Sequence, residues 1–329
     1  MIIVAKDGSG AFTTIQEAID SIPETNMDRV AIYIQDGVYN EKLFINKPFV
    51  SLIGTSPDRV VITYGDHAKK RMPDGKPMGT FSSYSIFAGG DDFTAENITF
   101  ENSAGCGKEV GQAVAVYVEG DRMIFRRCRF TGSQDTLFTG PLPPKPIEGN
   151  TFGGPMEGEK RKKGRSLFQN CYIEGDIDFI FGSATAVFQS CEIFSLDRQE
   201  ETNGYITAAS TPEGQPFGYV FLDCRLTSEA KPETVYLGRP WRDFARTVFI
   251  NCWMGAHIKR EGWHNWDKAQ AETTVFYAEY GSRGPGGNRN NRVEWAKELS
   301  AQEASLYTPE HILHLKEWPS FVPQEKTAK

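Results

Sequence analysis

Two aspartates stand at equivalent places in a recurring pattern. Asp178 lies in GDIDFIFG, residues 175 to 182, among large apolar side chains. It falls seven residues after Cys171, and Asp135 falls seven residues after Cys128. Both cysteines belong to copies of F-x-x-C-x-apolar, so stacking the copies as neighbouring strands sets the two backbones about 5 Å apart. Carboxylates that close cannot both ionise comfortably, and one pKa is expected to rise while the other stays low. An unequal pair of this kind suits acid/base and nucleophilic work. Later copies carry Arg198, Lys231 and Lys259 at the same offset, so the acids are not part of the repeat consensus. Strand alternation predicts Ile177, Phe179 and Phe181 on one face and Asp176, Asp178 and Ile180 on the other. Asp178 then sits outside a core, where a solvated strand aspartate is the simpler account of that residue alone.

Other groups could serve the pair. Gln112 in VGQAVAV and Gln134 in GSQDTLF offer amide donors for an oxyanion, although a lone glutamine is more often a surface residue. YLGRPWRD sets Arg239 and Trp241 on a Gly-Pro bend. A guanidinium there can grip a carboxylate with two hydrogen bonds, and an indole can face a sugar ring. Singly, Arg239 serves equally as a surface ion-pair partner and Trp241 as core filler. Together the groups are far more specific than any one of them.

The elements that must position these residues follow from the repeat. Phe125/Cys128/Phe130, Phe168/Cys171/Ile173, Phe188/Cys191/Ile193, Phe221/Cys224/Leu226 and Phe249/Cys252/Met254 use five of the six cysteines, at spacings of 43, 20, 33 and 28 residues. DDFTAENITFENS is a looser, earlier copy. Turns of a parallel coil bury the same side chains in ladders, which accounts for Phe and Cys returning at fixed offsets. The cysteines then have a packing role. No paired C-x-x-C or nearby histidine set accompanies them, so no metal site is expected. Cys171 and Cys191 would be near enough to bond if adjacent turns align, and the sequence leaves their oxidation state open.

Near the start, Thr14 and Glu17 read as a capping box opening a short helix over the first coil. Near the other end, RVEWAKELSAQEASL has helical periodicity and Thr308-Pro309-Glu310 reads as a second helix start. The expectation is an all-β chain forming one domain over residues 1–329, with helical caps near 13–22 and 292–316. The stretches YGDHAKKRMPDGKPMG and GPLPPKPIEGNTFGGPMEGEKRKKG are rich in Pro, Gly and Lys and read as surface loops. KRKKGR, residues 160 to 165, is expected to be a solvated charge run, with attraction of an acidic saccharide as the alternative.

The net charge of -7 argues against nucleic acid as a partner. No apolar run is long enough to span a bilayer, and no leader precedes the first strand-like residues. A cytoplasmic monomer without membrane association is expected, with secretion after loss of a leader as the alternative.

The sequence resembles the pectin methylesterases (pectinesterases) through GVYNE (37 to 41), QAVAV (112 to 116), QDTLF (134 to 138), DFIFG (178 to 182) and LGRPW (237 to 241), in the family's order. The resemblance covers most of the chain, from Lys6 to about Trp266. It implies a right-handed parallel β-helix that hydrolyses methyl esters of galacturonate units in pectin or methylated oligogalacturonides without a metal or other cofactor. Carried over by motif, Asp178 is the nucleophile, Asp135 the general acid and then base, and Arg239 the partner that holds Asp178 ionised. Gln112 and Gln134 form the oxyanion site, and Trp241, Phe181 and Phe138 line the sugar subsites.

This chain departs from the family pattern in having Phe138 where tyrosine is common, Val116 where leucine is common, and a Pro-rich insertion directly after QDTLF. Two alternatives stand beside the esterase. A glycoside hydrolase on a similar coil would also use two carboxyls about 5 Å apart. A non-catalytic β-helical carbohydrate-binding protein would keep the groove without needing both acids. A serine esterase is disfavoured, because the chain contains no G-x-S-x-G.

Overall fold

The computed structural model describes residues 1–319, so the last ten residues of the expected domain lie outside it. The recurring phenylalanines organise the chain. Phe125 pairs with Phe168, Phe168 with Phe188, Phe188 with Phe221 and Phe221 with Phe249 in consecutive parallel strands. Their rings stack with centroids 4.9, 4.7, 4.5 and 4.5 Å apart. A second ladder runs Phe100, Phe130, Ile173, Ile193, Leu226 and Met254. The repeat cysteines are buried in the same interior cluster, and all are free thiols, so Cys171 and Cys191 are not bonded to each other.

Among the described residues, three sheets of 11, 7 and 8 strands, all paired in parallel, wrap this interior as a right-handed parallel β-helix. The corner between the 11-stranded and 8-stranded sheets is a single left-handed residue. Asn97, Arg127, Asn170, Ser190, Asp223 and Asn251, each just before the Ile or Cys of the pattern, have φ between 48° and 57°. Asn and Asp tolerate that conformation better than other non-glycine residues, and they fill four of these corners.

The first helix, Ile15–Asp20, begins at Thr14, whose side chain accepts from the Glu17 backbone N–H. Its Ile15, Ala18 and Ile19 enter the interior cluster, and Lys47 Nζ donates to the carbonyls of Ile19, Asp20 and Ile22. These are the carbonyls a helix C-terminus leaves without partners. At the other end, the helices are Ala301–Ala304, with a capping box from Ser300 and Glu303, and Pro309–Leu313, capped by Thr308.

Two sequence expectations fail there. Residues 292 to 299 are not helical: Lys297–Glu298 adds a strand to Phe276–Tyr280. The cause is Glu279, which is fully buried and takes Arg292 Nε at 2.7 Å, while its carbonyl accepts from Leu299 N–H at 3.0 Å. A buried carboxylate needs that partner, and the sheet edge needs those hydrogen bonds, so both outweigh a weak helical pattern. The second difference is placement. Ile312 and Leu313 pack with Leu167, Val187 and Val220 on the outer face of the 11-stranded sheet, beside the coil and not over its end.

The stretches 65–79 and 140–164 are irregular apart from an antiparallel bridge between Arg71 and Pro77 and the turn at residues 80 to 82 that follows the first. They flank the 7-stranded sheet. Ala68 N–H donates to the Gln112 carbonyl at 2.8 Å, and Gly154 packs so closely on Phe81 that an added Cβ would lie 2.5 Å from its carbonyl oxygen.

Candidate active site

Pairing of Leu137 with Ile180, Phe138 with Phe181 and Thr139 with Gly182 runs at a constant offset, and Asp135, just before the strand Leu137–Thr139, and Asp178, within the strand Ile177–Gly182, stand at that same offset. Asp135 N–H donates to the Ile177 carbonyl at 3.1 Å, which ties the two rungs together at the acids. The structure therefore brings the two carboxyls side by side on the outer face of the 7-stranded sheet.

The simple alternation expected for GDIDFIFG does not hold. Asp178 has φ +52°, Asp135 has φ +63°, and pairing with Gly204–Ala209 shifts register between Ile177 and Ile180. This bulge turns Phe179 and Ile180 both into the interior, while Phe181 joins the outer aromatic cluster. A bulge re-aims side chains without breaking a ladder, and positive φ at a non-glycine residue is strain of the kind found at functional sites. Asp178 is 7% exposed and Asp135 8%, so neither is a solvated strand aspartate.

Arg239 follows the strand Val235–Gly238, where glycine is required because a Cβ on Gly238 would lie 2.0 Å from Thr207 Oγ1. Its Nε and Nη2 donate to the two Asp178 oxygens at 2.8 and 2.7 Å. The guanidinium is held flat between the Tyr205 ring, 3.8 Å away, and the Trp266 ring, 3.7 Å away. Such a sandwich fixes the fork in the plane that a carboxylate needs.

Burial raises the Asp135 pKa well above the usual carboxylate range, and the neighbouring Asp178 adds to the rise. The Asp178 pKa is also raised, by burial, with Arg239 opposing the shift. That corrects the expectation of one low value. The asymmetry remains, because Arg239 bonds Asp178 directly and acts on Asp135 only through space. Asp176 is buried beside them, with Arg198 Nε 3.4 Å from its carboxylate, and its charge pushes Asp135 up further.

A cleft of about 270 Å³ collects Gln112, Gln134, Asp135, Asp178, Phe181, Arg239 and Trp241. Neither glutamine amide is tied to a partner among the described residues, so their N–H groups are available to whatever enters. Phe138 is the exception among the expected residues. It is fully buried, packed against Phe81 at 5.1 Å, Tyr117 at 4.5 Å and Phe181 at 5.0 Å, and so supports the cleft floor without facing it.

Phe81, Tyr205 and Trp266 belong to the site and were missed from the sequence. Each sits outside the repeat pattern's apolar positions, and only the Trp in HNW was a visible signal. KRKKGR is exposed over residues 160 to 163, as a solvated charge run would be, with three ties to the fold: Arg161 donates to the Leu142 carbonyl, Lys162 pairs with Asp91, and Arg165 pairs with Asp121. Among the described residues no group of His, Cys, Asp and Glu is arranged to hold a metal ion.

Comparison with known proteins places this geometry. A family model described as Pectinesterase matches residues 1–141 and 161–316. Pectinesterase 31 of Arabidopsis thaliana is 38% identical over 333 residues, covering 99% of this chain and 93% of that protein. The solved pectin methylesterase from carrot is 32% identical with a TM-score of 0.80, covering 96% of this chain and 94% of that one. A pectin methylesterase solved in complex with a hexasaccharide is 29% identical with a TM-score of 0.81, covering 98% of each chain.

Proposed function

This chain belongs to the pectinesterase family of carboxylic ester hydrolases, and we propose that it releases methanol from methyl-esterified galacturonate units by means of an Asp178 nucleophile and an Asp135 acid/base. The carrying observation is the forked Arg239–Asp178 pair beside a buried second carboxyl within one cleft.

Arg239 keeps Asp178 ionised against the cost of burial, so a carboxylate is present to attack the ester carbonyl. The carbonyl oxygen becomes an oxyanion and accepts from the amides of Gln112 and Gln134. As the tetrahedral intermediate collapses, the bond to methoxide breaks and protonated Asp135 gives it the proton, leaving methanol and an Asp178 anhydride. Asp135, now ionised, takes a proton from the water that attacks the anhydride, and both carboxyls return to their starting states. The raised Asp135 pKa is what the first step asks of it. Trp241 and Phe181 offer apolar faces to the sugar.

The substrate is a methyl-esterified galacturonate chain, polymer or oligomer, which the family relationship and the hexasaccharide held by a structural relative both favour. We read the chain as one domain acting as a monomer. No helix among the described residues is long and apolar enough to cross a membrane. The plant pectinesterases it resembles lend no support to the cytoplasmic placement.

The deciding experiment measures methanol and reducing ends together on esterified pectin. Methanol without new reducing ends is the expected result, and Asp178→Ala and Asp135→Asn should each abolish it. New reducing ends would instead point to a glycosidase, binding without either product would point to a carbohydrate-binding protein, and an active Asp178→Ala would remove the nucleophile.

A further inference from the structure

The repeat places Arg198 where the two preceding copies carry acids. It falls seven residues after Cys191, as Asp178 does after Cys171 and Asp135 after Cys128. The reaction proposed above gives it no part. Its partner in the structure is not Asp178, because the register shifts between Ile177 and Ile180 and a loop precedes the strand Gly204–Ala209. Arg198 meets Asp176 instead, with Nε 3.4 Å from the carboxylate.

Asp176 is 2% exposed, and it stands behind the cleft that Gln134, Asp135 and Asp178 line. Asp176 N–H donates to the Ser133 carbonyl at 2.9 Å and Asp135 N–H to the Ile177 carbonyl at 3.1 Å, so segments 133–135 and 176–178 are joined backbone to backbone. The carboxylate also accepts from the Ile177 N–H at 2.6 Å. A Cβ on Gly107 would lie 2.7 Å from Gln134 Cβ and 3.5 Å from Asp176 Oδ1, so the start of the short helix Gly107–Val110 packs over both side chains.

The turn that presents Arg198 is itself braced. Buried Asn203 accepts from the Arg198 N–H and donates to the Leu196 carbonyl, both at 2.6 Å. Glu200 of the same turn pairs with Lys108 of the covering helix at 2.6 Å. A buried carboxylate stays charged only when it is paired and hydrogen-bonded, and Asp176 has both kinds of partner. Burial raises its pKa, while the Ile177 N–H and Arg198 oppose the rise. The charges that act on Asp135 are Asp178, Arg239 and Asp176. Asp178 is gripped by the Arg239 fork, which offsets its charge, whereas the counter-ion of Asp176 comes from the turn at residues 196 to 203. A negative neighbour makes an acid hold its proton more tightly.

We propose that Asp176 is a positioning residue for this reaction: held ionised by Arg198 behind the cleft, it keeps the proton on Asp135 until the departing methoxide takes it. The role rests on the acid/base work proposed above for Asp135. Asp176 itself touches neither ester nor water.

The test is titration of isotope-labelled aspartate carboxyls by NMR in the whole protein, with the Asp135 signal assigned by its loss in Asp135→Asn, beside the pH profile of methanol release. Asp176→Asn keeps the shape and an acceptor for the Ile177 N–H, and should lower the Asp135 midpoint by about half a unit to one pH unit. The basic limb of kcat/KM should move down by the same amount. Asp176→Asn/Arg198→Gln leaves no unpaired guanidinium behind, and its Asp135 midpoint should also lie below the parental one. An unmoved midpoint in Asp176→Asn, with a rate that falls equally at every pH, would reduce Asp176 to a structural part and overturn the proposal. A parental midpoint in the double variant would overturn it too, because the shift would then come from stranded Arg198. A parent that released no methanol would defeat the proposed catalysis, while the carboxyl titration would still decide whether Asp176 holds the proton on Asp135.

Discussion

Arg239→Lys separates charge from geometry at the centre of the proposed mechanism. Arg239 makes two charge-assisted hydrogen bonds to Asp178, at 2.8 and 2.7 Å, and lies flat between Tyr205 and Trp266. A lysine ammonium keeps the positive charge, but it has no planar fork to hold both oxygens and no flat face to fill the sandwich. Losing one such bond costs about 1.5–3 kcal/mol, which corresponds to roughly 10- to 100-fold in kcat/KM. The pH profile should move as well. Asp178 must be ionised to act, burial raises its pKa, and Arg239 opposes that rise. Weakening the opposition lets the pKa climb further, so the acid limb of kcat/KM shifts to higher pH. Arg239 also lowers the Asp135 pKa through space, so the basic limb should follow in the same direction. Methanol release measured across pH for parent and variant, with Tm as a control for folding, tests both effects. A variant with parental kcat/KM and an unmoved acid limb would refute the claim that this fork keeps the nucleophile ionised.

Three further outcomes follow from burial. Asp135→Asn should abolish methanol release yet raise Tm: an unfolded aspartate ionises near about 3.9, and the folded one well above it. Between those values the folded state binds more protons, so parental stability falls as pH rises, and the variant's advantage should open upward from about pH 4. A Tm deficit at neutral pH would contradict this. Glu119 is buried with Oε2 unpartnered, and burial pushes its pKa up to about 8. Glu119→Gln should therefore gain in Tm over the parent between roughly pH 4.3 and pH 8, with a level difference above that, and a pH-independent difference would reject the burial cost. Phe188→Ala removes a ring stacked between Phe168 and Phe221 and should cost about 3–5 kcal/mol of stability, measured by denaturant unfolding. A loss under about 1 kcal/mol would mean that the ladder is not close-packed.

The ladder was legible because its cause is local and repeated. A coil buries one residue per turn at each interior position, so Phe125, Phe168, Phe188, Phe221 and Phe249 recur at offsets that survive loops of different length. The same counting set Asp135 opposite Asp178 before any coordinates. Helix periodicity over 292 to 299 misled, because the competing partner, Glu279, lies on another strand and its burial cannot be read from that window.

Residue types, their order and their repeat distance were thus enough to establish the β-helix and to pair the acids, because stacked equivalent turns must place equal positions side by side. The aim of those acids was decided in three dimensions. Left-handed backbone at Asp135 and Asp178 and a shifted register turn the carboxyls outward, and Tyr205 and Trp266 reach Arg239 from elements that no spacing rule connects. Proton affinity likewise depends on how much water each carboxyl loses and which charges surround it, and that is a property of the assembled surface.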